Sequence, residues 1–522
     1  MFEGVPIVTI IILLPLIGAA ATFCLGRYEK YAKYVALAFS LASLVLSVLV
    51  GLEYLVNPGP TATGYHAGFR ESGGFGFFDF QFYEDYTWIE SLGISYIVGL
   101  DGISLPLFIL TTLLSTLAIL FSWDTTYRPK EYFGLMLVLE VGVLGVFSAL
   151  DYFLFYVFWE VVLIPMYFMI GVWGGPRKDY AAIKFFIYTH IASLAILVAI
   201  MAMYFQSYSV THTLSFGMED IARSSLALDA FGRTFQIVAF LALFFGFGVK
   251  VPMVPFHTWL PDAHVEAPTA GSVLLAGLLL KMGGYGIIRV AIPTFPVGAH
   301  ELQLLVAIIA IVSIIYGALL CLAQRDLKKM VAYSSISHMG FVLLGYATFT
   351  DLGITAGVFQ MFAHGLVTAV LFMMCGVVQH KCGTREIPLL GGLSKKMPAA
   401  STMMTIGFLA SLGLPGLVSF AAEFMVLASM FNTWGLWLLL PILSVAITAG
   451  YYLWALQRSM FGPLTEKIDT TKVHDVSWFE GIPVSLLIVL IAIFGVFPFV
   501  IFNIINPAVK IVTSLPGLLG GG

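Results

Sequence analysis

The chain has 522 residues, of which 60% are hydrophobic and only 10% are charged. Because soluble proteins carry about 25% charged residues, this composition excludes an ordinary water-soluble domain and favours a protein that folds in a lipid bilayer. The net charge of -4 gives no reason to expect a nucleic-acid partner. The four cysteines are scattered and form no CxxC pair, so we expect no metal or redox centre in this chain.

Apolar runs long enough to cross about 30 Å of hydrocarbon recur along the whole chain. We predict an all-α polytopic membrane protein of about fourteen transmembrane spans, numbered 1 to 14 in chain order. Their approximate bounds are residues 5–23, 31–52, 99–122, 131–149, 151–173, 180–205, 235–256, 266–291, 302–322, 330–349, 352–379, 400–431, 434–458 and 481–504. Residues 57–98 are predicted to form a long external polar loop, and residues 206–231 a shorter one.

The distribution of basic residues predicts the orientation of these spans. Eighteen of the 25 Lys and Arg residues fall in loops that follow odd-numbered spans, whereas loops after even-numbered spans hold only Arg70, Arg223 and Arg233. Cytoplasmic loops of membrane proteins carry an excess of Lys and Arg. We therefore predict that the odd loops face the cytoplasm and that both chain termini lie on the outer side.

Charged residues inside apolar spans point to a function. Glu160, Lys250, Lys281 and Glu423 are each flanked on both sides by apolar sequence. A charge at the bilayer centre costs about 2.5–3.5 kcal/mol on insertion scales, and such residues usually mark a transport path. A structural ion pair at Glu160 and a lysine that snorkels to the membrane surface are the plainer alternatives, although Lys281 lies too deep for the second.

Several ionisable residues share one depth in the membrane. Glu160, Lys281, His338 and His364 fall near the middle of their predicted spans, and so does Glu140, which we include as an additional candidate. We predict that they form a hydrated polar file parallel to the membrane plane, buried within the helical bundle.

Two predicted spans contain helix-breaking residues. Span 7 reads Lys250-Val-Pro-Met-Val-Pro255, and span 12 reads Gly413-Leu-Pro-Gly416 ahead of Glu423. Because proline removes a backbone donor and clashes with the preceding turn, we predict that both helices are broken. Broken helices at matching places in two halves are typical of inverted-repeat transporters, although ordinary proline kinks would give the same pattern.

The matching breaks predict two inverted repeats of five spans, spans 4–8 and spans 9–13. The chain then has four parts. They are residues 1–130 with spans 1–3 and the external loop 57–98, residues 131–292 with the first repeat, residues 301–461 with the second, inverted repeat, and residues 462–522 with a cytoplasmic loop and span 14.

Other polar residues have plainer predicted roles. His190 is at mid-span, and we predict only a hydrogen bond to a neighbouring helix for it. His257 and His264 are seven residues apart, but their incomplete ligand set favours a re-entrant loop over a metal site. Asp101 and Asp151 lie at the external starts of predicted helices. We predict that both cap these helices, with service to a proton exit as the alternative role of Asp151.

Five segments that carry these residues resemble the antiporter-like membrane subunits of respiratory complex I, most closely the M-type subunit. They are FWEVVLIPMYFMIGVWGG (158–175), VKVPMVPFHTWLPDAHVEAPTAGSVLLAGLLLKMGGYGIIR (249–289), SSISHMG (334–340), FQMFAHG (359–365) and LPGLVSFAAEFM (414–425). An acid at position 423 favours the M-type, since the related L-type and N-type subunits look to carry lysine there. Membrane subunits of cation/proton antiporters and hydrogenases share the long second segment and remain alternatives.

The resemblance implies a proton-translocating subunit of NADH:quinone oxidoreductase in a bacterial inner (plasma) membrane, with both termini periplasmic. Its neighbours would be L-type and N-type subunits and lipids. FMN, iron–sulfur clusters and quinone would belong to partner subunits, so the chain would take part in the enzyme without a cofactor of its own. Residue by residue, the resemblance makes Glu160 and Lys250 a coupled pair, Lys281 the central lysine, His338 and His364 connecting histidines, and Glu423 the terminal acid.

We expect the Glu160–Lys250 pair to act as a switch. At about 4 Å and an effective dielectric near 20, the two charges would attract each other by about 4 kcal/mol. Moving Glu160 away would leave desolvation to favour the neutral amine of Lys250, whose proton would pass along Lys281, His338 and His364 to Glu423. The alternative of another class is a structural spacer that does not pump, and the insertion cost of the buried charges counts against it.

Overall fold

A computed structural model of the chain describes residues 2, 4–56, 80–227, 231–469, 471 and 473–515, most of them helical. The helices of the first half are α1 (Ile7–Phe23), α2 (Ala32–Val56), α3 (Ser104–Phe121), α4 (Pro129–Ser148), α5 (Tyr152–Val161), α6 (Leu163–Trp173), α7 (Lys178–Thr211), α8 (Met218–Ala227), α9 (Arg233–Lys250) and α10 (Trp259–Glu266). Those of the second half are α11 (Thr269–Leu274), α12 (Leu280–Gly286), α13 (Ile292–Thr294), α14 (Pro296–Glu301), α15 (Gln303–Leu322), α16 (Leu327–Ala347), α17 (Asp351–Cys382), α18 (Pro398–Ser411), α19 (Val418–Trp434), α20 (Leu439–Ser459), α21 (Trp478–Val496) and α22 (Phe499–Thr513).

Twelve helical stretches in the described part of the chain are long and apolar enough to cross a membrane, which supports a polytopic membrane protein. One of these stretches, Val418–Ser459, contains both α19 and α20. The apolar helices α1 and α22 are shorter. Predicted span 14 differs from the structure, because α21 ends at Val496 and the chain turns at Phe497 before α22 begins.

A small β-sheet corrects the all-α prediction and the predicted loop 57–98. Strands β1 (Gln81–Ile89) and β2 (Ile94–Leu100) pair in antiparallel fashion. The aromatic and β-branched residues of these strands favour extended backbone, and Gly93 turns between them with a φ of 66°. Span 3 consequently starts later than predicted, at Ser104. The rest of the predicted loop, residues 57–79, lies outside the described residues.

The sheet is fastened to the start of the first helix. Glu84 on β1 is buried, and its carboxylate accepts hydrogen bonds from the backbone N–H groups of Val8, at 2.8 Å, and Thr9. These donors belong to the first turn of α1, where backbone N–H groups have no partner inside the helix. A carboxylate at a helix N-terminus also complements the helix dipole, so one side chain joins the sheet to the bundle.

Two helices form the buried centre of the bundle together with the stretch Thr269–Thr294. In α16, in α17 and in that stretch, nearly all residues of an apolar segment of 18 residues are buried inside the bundle. By contrast, only about a third of the residues in an equally long apolar segment of α2 or α21 are buried, so these helices form the outside of the bundle. The stretch Thr269–Thr294 contains two π-helical turns, Leu275–Leu279 and Ile287–Ala291, on either side of α12. π-Helical turns inside α-helices often occur at functional sites.

Three interruptions divide apolar helices close to charged residues. Helix α9 ends at Lys250 and α10 begins only at Trp259. Helix α18 ends before Gly413 and Gly416, whose φ angles of 81° and 91° are tolerated well only by glycine. A third interruption, at Val162 between α5 and α6, was not predicted. It precedes Pro165, which has no N–H to donate.

Candidate functional site

Lys281 and His364 meet at the centre of the bundle. The side chain of Lys281 is fully buried, and its ammonium group donates a hydrogen bond to the carbonyl oxygen of Ala276 in the first π-helical turn. The same Nζ lies 2.6 Å from Nδ1 of His364 on α17. Nε2 of His364 has no hydrogen-bond partner among the residues that the structure describes. One ring nitrogen of the histidine therefore contacts the lysine, while the other is free to accept or donate.

His338 and Glu423 form a second hydrogen-bonded pair. Nδ1 of His338 on α16 lies 2.7 Å from Oε1 of Glu423 on α19, and the same oxygen accepts a bond of 3.0 Å from Nε2 of Gln360. On the other side of the ring, Nε2 of His338 lies 3.1 Å from the Ser411 hydroxyl, which donates to the hydroxyl of Tyr452. Both nitrogens of His338 are thus engaged, and Glu423 is held next to the interruption between α18 and α19.

The two pairs lie next to each other. The rings of His338 and His364 have centroids 5.7 Å apart and are tilted by 49°. The order along the file is therefore Lys281, His364, His338, Glu423. In this spatial order His364, and not His338, lies next to Lys281, whereas the sequence-based hypothesis placed His338 before His364. Depth within a span does not reveal which of two histidines on adjacent helices faces the lysine.

Lys250 is buried at the end of α9, but it is not ion-paired with Glu160 within 4 Å. Its Nζ has no hydrogen-bond partner in the described ranges and lies 4.1 Å from the centroid of the Trp159 ring. A cation over an indole face gains about 0.5–2 kcal/mol. Oε2 of Glu160 lies instead 3.3 Å from Nδ1 of His190 on α7. The predicted hydrogen bond of His190 to a neighbouring helix is thus present, with Glu160 as its partner.

Glu140 stands apart from the file. It is almost completely buried on α4, and neither carboxylate oxygen has a hydrogen-bond partner within the described part of the chain. The hydroxyl of Ser40 on α2 lies close to this carboxylate. Helix α4 packs against α1, α2 and α3, so the structure places Glu140 on the side of the bundle that the N-terminal helices cover.

The remaining polar candidates stack on a ring, cap a helix or form an ion pair. The ring of His264 is stacked on Phe372 at 4.5 Å, and no group of three or more His, Cys, Asp or Glu suited to a metal ion occurs among the described residues. Asp151 caps α5 through bonds to the N–H groups of Phe153 and Leu154. Asp101 accepts equivalent bonds at the start of α3 and pairs with the buried guanidinium of Arg289.

Several residues of the site were not predicted from the sequence. Gln360 lies four residues before His364 in the quoted segment FQMFAHG, so helical spacing could have placed it on the same face. Trp159 immediately precedes Glu160 and could have been considered as a cation–π partner. Ser411 and Tyr452 carried no signal, because a hydroxyl in an apolar helix usually bonds to its own backbone.

Comparison with known proteins identifies the family. The family model for "NADH:quinone oxidoreductase/Mrp antiporter, TM" matches residues 149–448. F(420)H(2) dehydrogenase subunit M of Methanosarcina mazei is 40% identical and covers 98% of this chain and 99% of its own length. NADH-quinone oxidoreductase subunit M of Rhodobacter capsulatus is also 40% identical, over 96% of this chain and 95% of its own.

Solved structures agree with this result. A chain of respiratory complex I from Thermus thermophilus with bound NADH has a TM-score of 0.84 and 27% identity, and the match covers 99% of this chain and 100% of that one. The Mrp complex of Dietzia shares the fold at a TM-score of 0.77 and 23% identity. The chain therefore belongs to the NADH:quinone oxidoreductase/Mrp antiporter family of membrane proteins, as an M-type antiporter-like subunit.

Proposed function

We propose that this chain is the proton-translocating M-type subunit of an NADH:quinone oxidoreductase and moves protons through its buried polar file. One observation carries the proposal: two directly hydrogen-bonded pairs, Lys281–His364 and His338–Glu423, adjoin each other inside an apolar bundle. Burying four ionisable groups without a transport role would be costly. Lysine, histidine and carboxylate groups can each hold or release a proton, so together they provide a continuous set of acceptors.

The transfers follow the geometry of the file. A proton that leaves Lys250 would pass to Lys281, then to His364, to His338, and finally to Glu423. Lys281 and His364 are close enough for direct transfer, and so are His338 and Glu423. The rings of the two histidines are too far apart for a direct hydrogen bond, and one water molecule can bridge polar groups at that range.

Glu160 would control the first step. When Glu160 lies beside Lys250, it stabilises the ammonium ion; when it moves away, the buried amine favours the neutral form and releases its proton. The described arrangement, in which Glu160 contacts His190 and Lys250 contacts Trp159, corresponds to the second state. Redox chemistry in partner subunits, which would hold FMN, the iron–sulfur clusters and quinone, would drive the exchange.

We also propose the number of membrane crossings, their arrangement in repeats and their orientation. Counting α1 as a span, and α18–α19 and α20 as two separate spans, gives fourteen crossings, of which ten would form two inverted five-span repeats. We propose a bacterial inner membrane with both termini on the periplasmic side, and L-type and N-type subunits as neighbours. We propose NADH as the electron donor of the complex because of the NADH-quinone oxidoreductase relatives. One relative of equal identity is a subunit of an F(420)H(2) dehydrogenase.

Substituting the switch residues in the assembled complex tests the proposal. We expect Glu160→Gln and Lys250→Met each to lower proton translocation and coupled quinone reduction at least about tenfold, the effect of a barrier higher by about 1.4 kcal/mol. Proteoliposomes with a pH-sensitive dye would measure translocation, and co-purification of partner subunits would verify assembly. Lys396→Met is the matched control, because Lys396 is exposed in a loop.

The alternatives predict different outcomes. A non-pumping spacer would leave both variants at the rate of the unmodified complex. A cation/proton antiporter would show transport that depends on added sodium or potassium and would purify without a flavin and iron–sulfur arm. Either result would rule out the proposed function.

A further inference from the structure

Glu160 lies between two bases on different helices. Its Oε2 lies 3.3 Å from Nδ1 of His190, whereas its Oε1 has no hydrogen-bond partner within the residues described. Lys250 is the other base, and its Nζ is likewise without a hydrogen-bond partner in the described ranges. The carboxylate therefore has one oxygen engaged by His190 and one oxygen available, while the buried side chain of Lys250 forms no salt bridge in the described ranges.

The surroundings of His190 leave Glu160 as its main electrostatic partner. The His190 ring is stacked on Phe186 at 5.4 Å, which fixes its plane. From α5, Glu160 contacts the ring directly, and Tyr156 lies close to Glu160 and to Ser193. From α9, Lys250 lies close enough to interact electrostatically with Glu160. Helix α6 contributes only the neutral ring of Tyr167, which packs on Phe186.

Helix α10, the remaining helix packed near this part of α7, contributes no further charge to His190. Its Asp262 is already bonded to Lys184 of α7 at 2.7 Å, about a turn and a half before His190. The side chain of His190 is 40% exposed and that of Glu160 is 26% exposed, so the pair reaches the outer face of the bundle. In the membrane this face is covered by lipid or by a partner subunit, so a proton that reached His190 from a partner subunit would not have to cross the buried file.

We propose that His190 is the positioning residue that draws Glu160 away from Lys250 when it becomes protonated. This inference rests on the proposed function and adds the trigger of its first step. Before the exchange, Glu160 is negative, Lys250 is an ammonium ion and His190 is neutral. After it, His190 carries the positive charge and Lys250 is a neutral amine.

The net charge of the three residues is zero in both states. A proton handed over by a partner subunit at this face binds His190, and the proton of Lys250 leaves toward Lys281, so one proton enters and one leaves. Conserving the net charge matters because an unpaired charge inside the bundle is costly. Histidine suits this role because it changes its charge near neutral pH more readily than other side chains.

Two substitutions fix His190 in opposite charge states. His190→Gln can still donate a hydrogen bond to Glu160 but cannot gain a proton. His190→Lys places an ammonium group beside Glu160, and this counter-ion, together with the 40% exposure of the position, favours the charged form. We expect both to lower proton translocation in the assembled complex at least about tenfold. Proton translocation by the unmodified complex should decline as rising pH withholds the proton that His190 has to accept, and both variants should lack this decline.

The matched control is His380→Gln. His380 is also close to a glutamate, with Nδ1 3.7 Å from Oε1 of Glu480, but it lies at 61% exposure outside the file. The control should keep the rate and the pH profile of the unmodified complex. Co-purification of partner subunits verifies assembly, and if the glutamine variant does not assemble, the rate and the pH profile of the lysine variant decide.

Two results would overturn the inference while leaving the proposed function in place. One is a His190→Gln variant with the unmodified rate and pH profile, because His190 would then serve only as a hydrogen-bond donor. The other is a fully active His190→Lys variant, because titration would then be unnecessary. In both cases Glu160→Gln would remain inactive. If Glu160→Gln also pumps normally, the proposed function fails together with the inference.

Discussion

Four buried polar atoms along the file have no hydrogen-bond partner among the described residues. Oε1 of Glu160, Nζ of Lys250, Nε2 of His364 and Oε1 of Gln360 are all buried without a hydrogen-bond partner in the part of the chain that the structure describes. Native proteins satisfy nearly all buried polar groups, and each exception costs about 1–3 kcal/mol. Such a cost is expected where hydrogen bonds must be broken and made again during a transport cycle.

Asp151 allows a pH-dependent prediction outside the file, at the external end of α5. Burial raises the pKa of Asp151 to about 6, although bonds from backbone N–H groups oppose this. The folded state then binds a proton more tightly than the unfolded state, whose aspartate pKa is about 3.9. The contribution of Asp151 to stability is therefore largest below pH 4 and is lost as the pH rises to about 6.

Asp151→Asn keeps an oxygen acceptor for the cap but cannot ionise. Relative to the unmodified protein, we expect its thermal unfolding midpoint in detergent to rise progressively as the pH increases from about 4 to about 6, with no further change above. Asp179→Asn, at an exposed position in the first turn of α7, is the control and should show no such trend. A constant difference between Asp151→Asn and the unmodified protein from pH 4 to pH 8 would contradict the prediction.

At the scale of elements, close packing between α9 and α12 positions Lys250 relative to Lys281. Gly283 lies two residues after Lys281, and a Cβ added to it would stand 2.6 Å from the carbonyl oxygen of Phe247 and 2.9 Å from the backbone nitrogen of Val251. Both atoms are backbone, so side-chain rotation cannot relieve the overlap. The end of α9 can approach α12 this closely only because residue 283 is glycine.

Gly283→Ala should push the end of α9 away from α12. We expect proton translocation to fall at least about tenfold, because a displacement of about 1 Å can cost a hundredfold in a positioned reaction. Gly450→Ala is the matched control, since a Cβ at Gly450 would meet no atom within 4 Å. An assembled Gly283→Ala complex that translocates protons at the unmodified rate would show that this contact does not position the two lysines.

The sequence predicted some elements of the fold and missed others. Hydropathy and proline positions predicted most helices and the interruptions after Lys250 and before Glu423, because these depend on local composition. The hairpin of β1 and β2 was missed because the glycines and acidic residues of segment 57–98 indicated a loop, although the aromatic and β-branched residues of its second half favour strands. The contact between Glu160 and His190 could not be predicted either, because it depends on how α5 rotates against α7 after the interruption at Val162.

At the scale of the whole molecule, apolar side chains cover the outside of the bundle. The outer faces of α2, α7, α15, α20 and α21 expose large residues such as Leu52, Val198, Leu304, Leu443 and Val489. In water such a surface would aggregate, whereas lipid tails solvate it well. The interior is largely apolar as well, so the buried polar file is set in an apolar core inside an apolar exterior.

The orientation of the bundle in the membrane follows from its loops and can be measured. Thr213, after α7, and Lys396, before α18, are both exposed. We predict Thr213 on the periplasmic side and Lys396 on the cytoplasmic side, because loops rich in Lys and Arg remain in the cytoplasm. In a background with Cys24 and Cys382 replaced by serine, a membrane-impermeant maleimide added to intact cells should label Thr213→Cys and spare Lys396→Cys. Inverted vesicles should give the opposite pattern, and labelling of Lys396→Cys in intact cells would require both the orientation and the proposed direction of transport to be reversed.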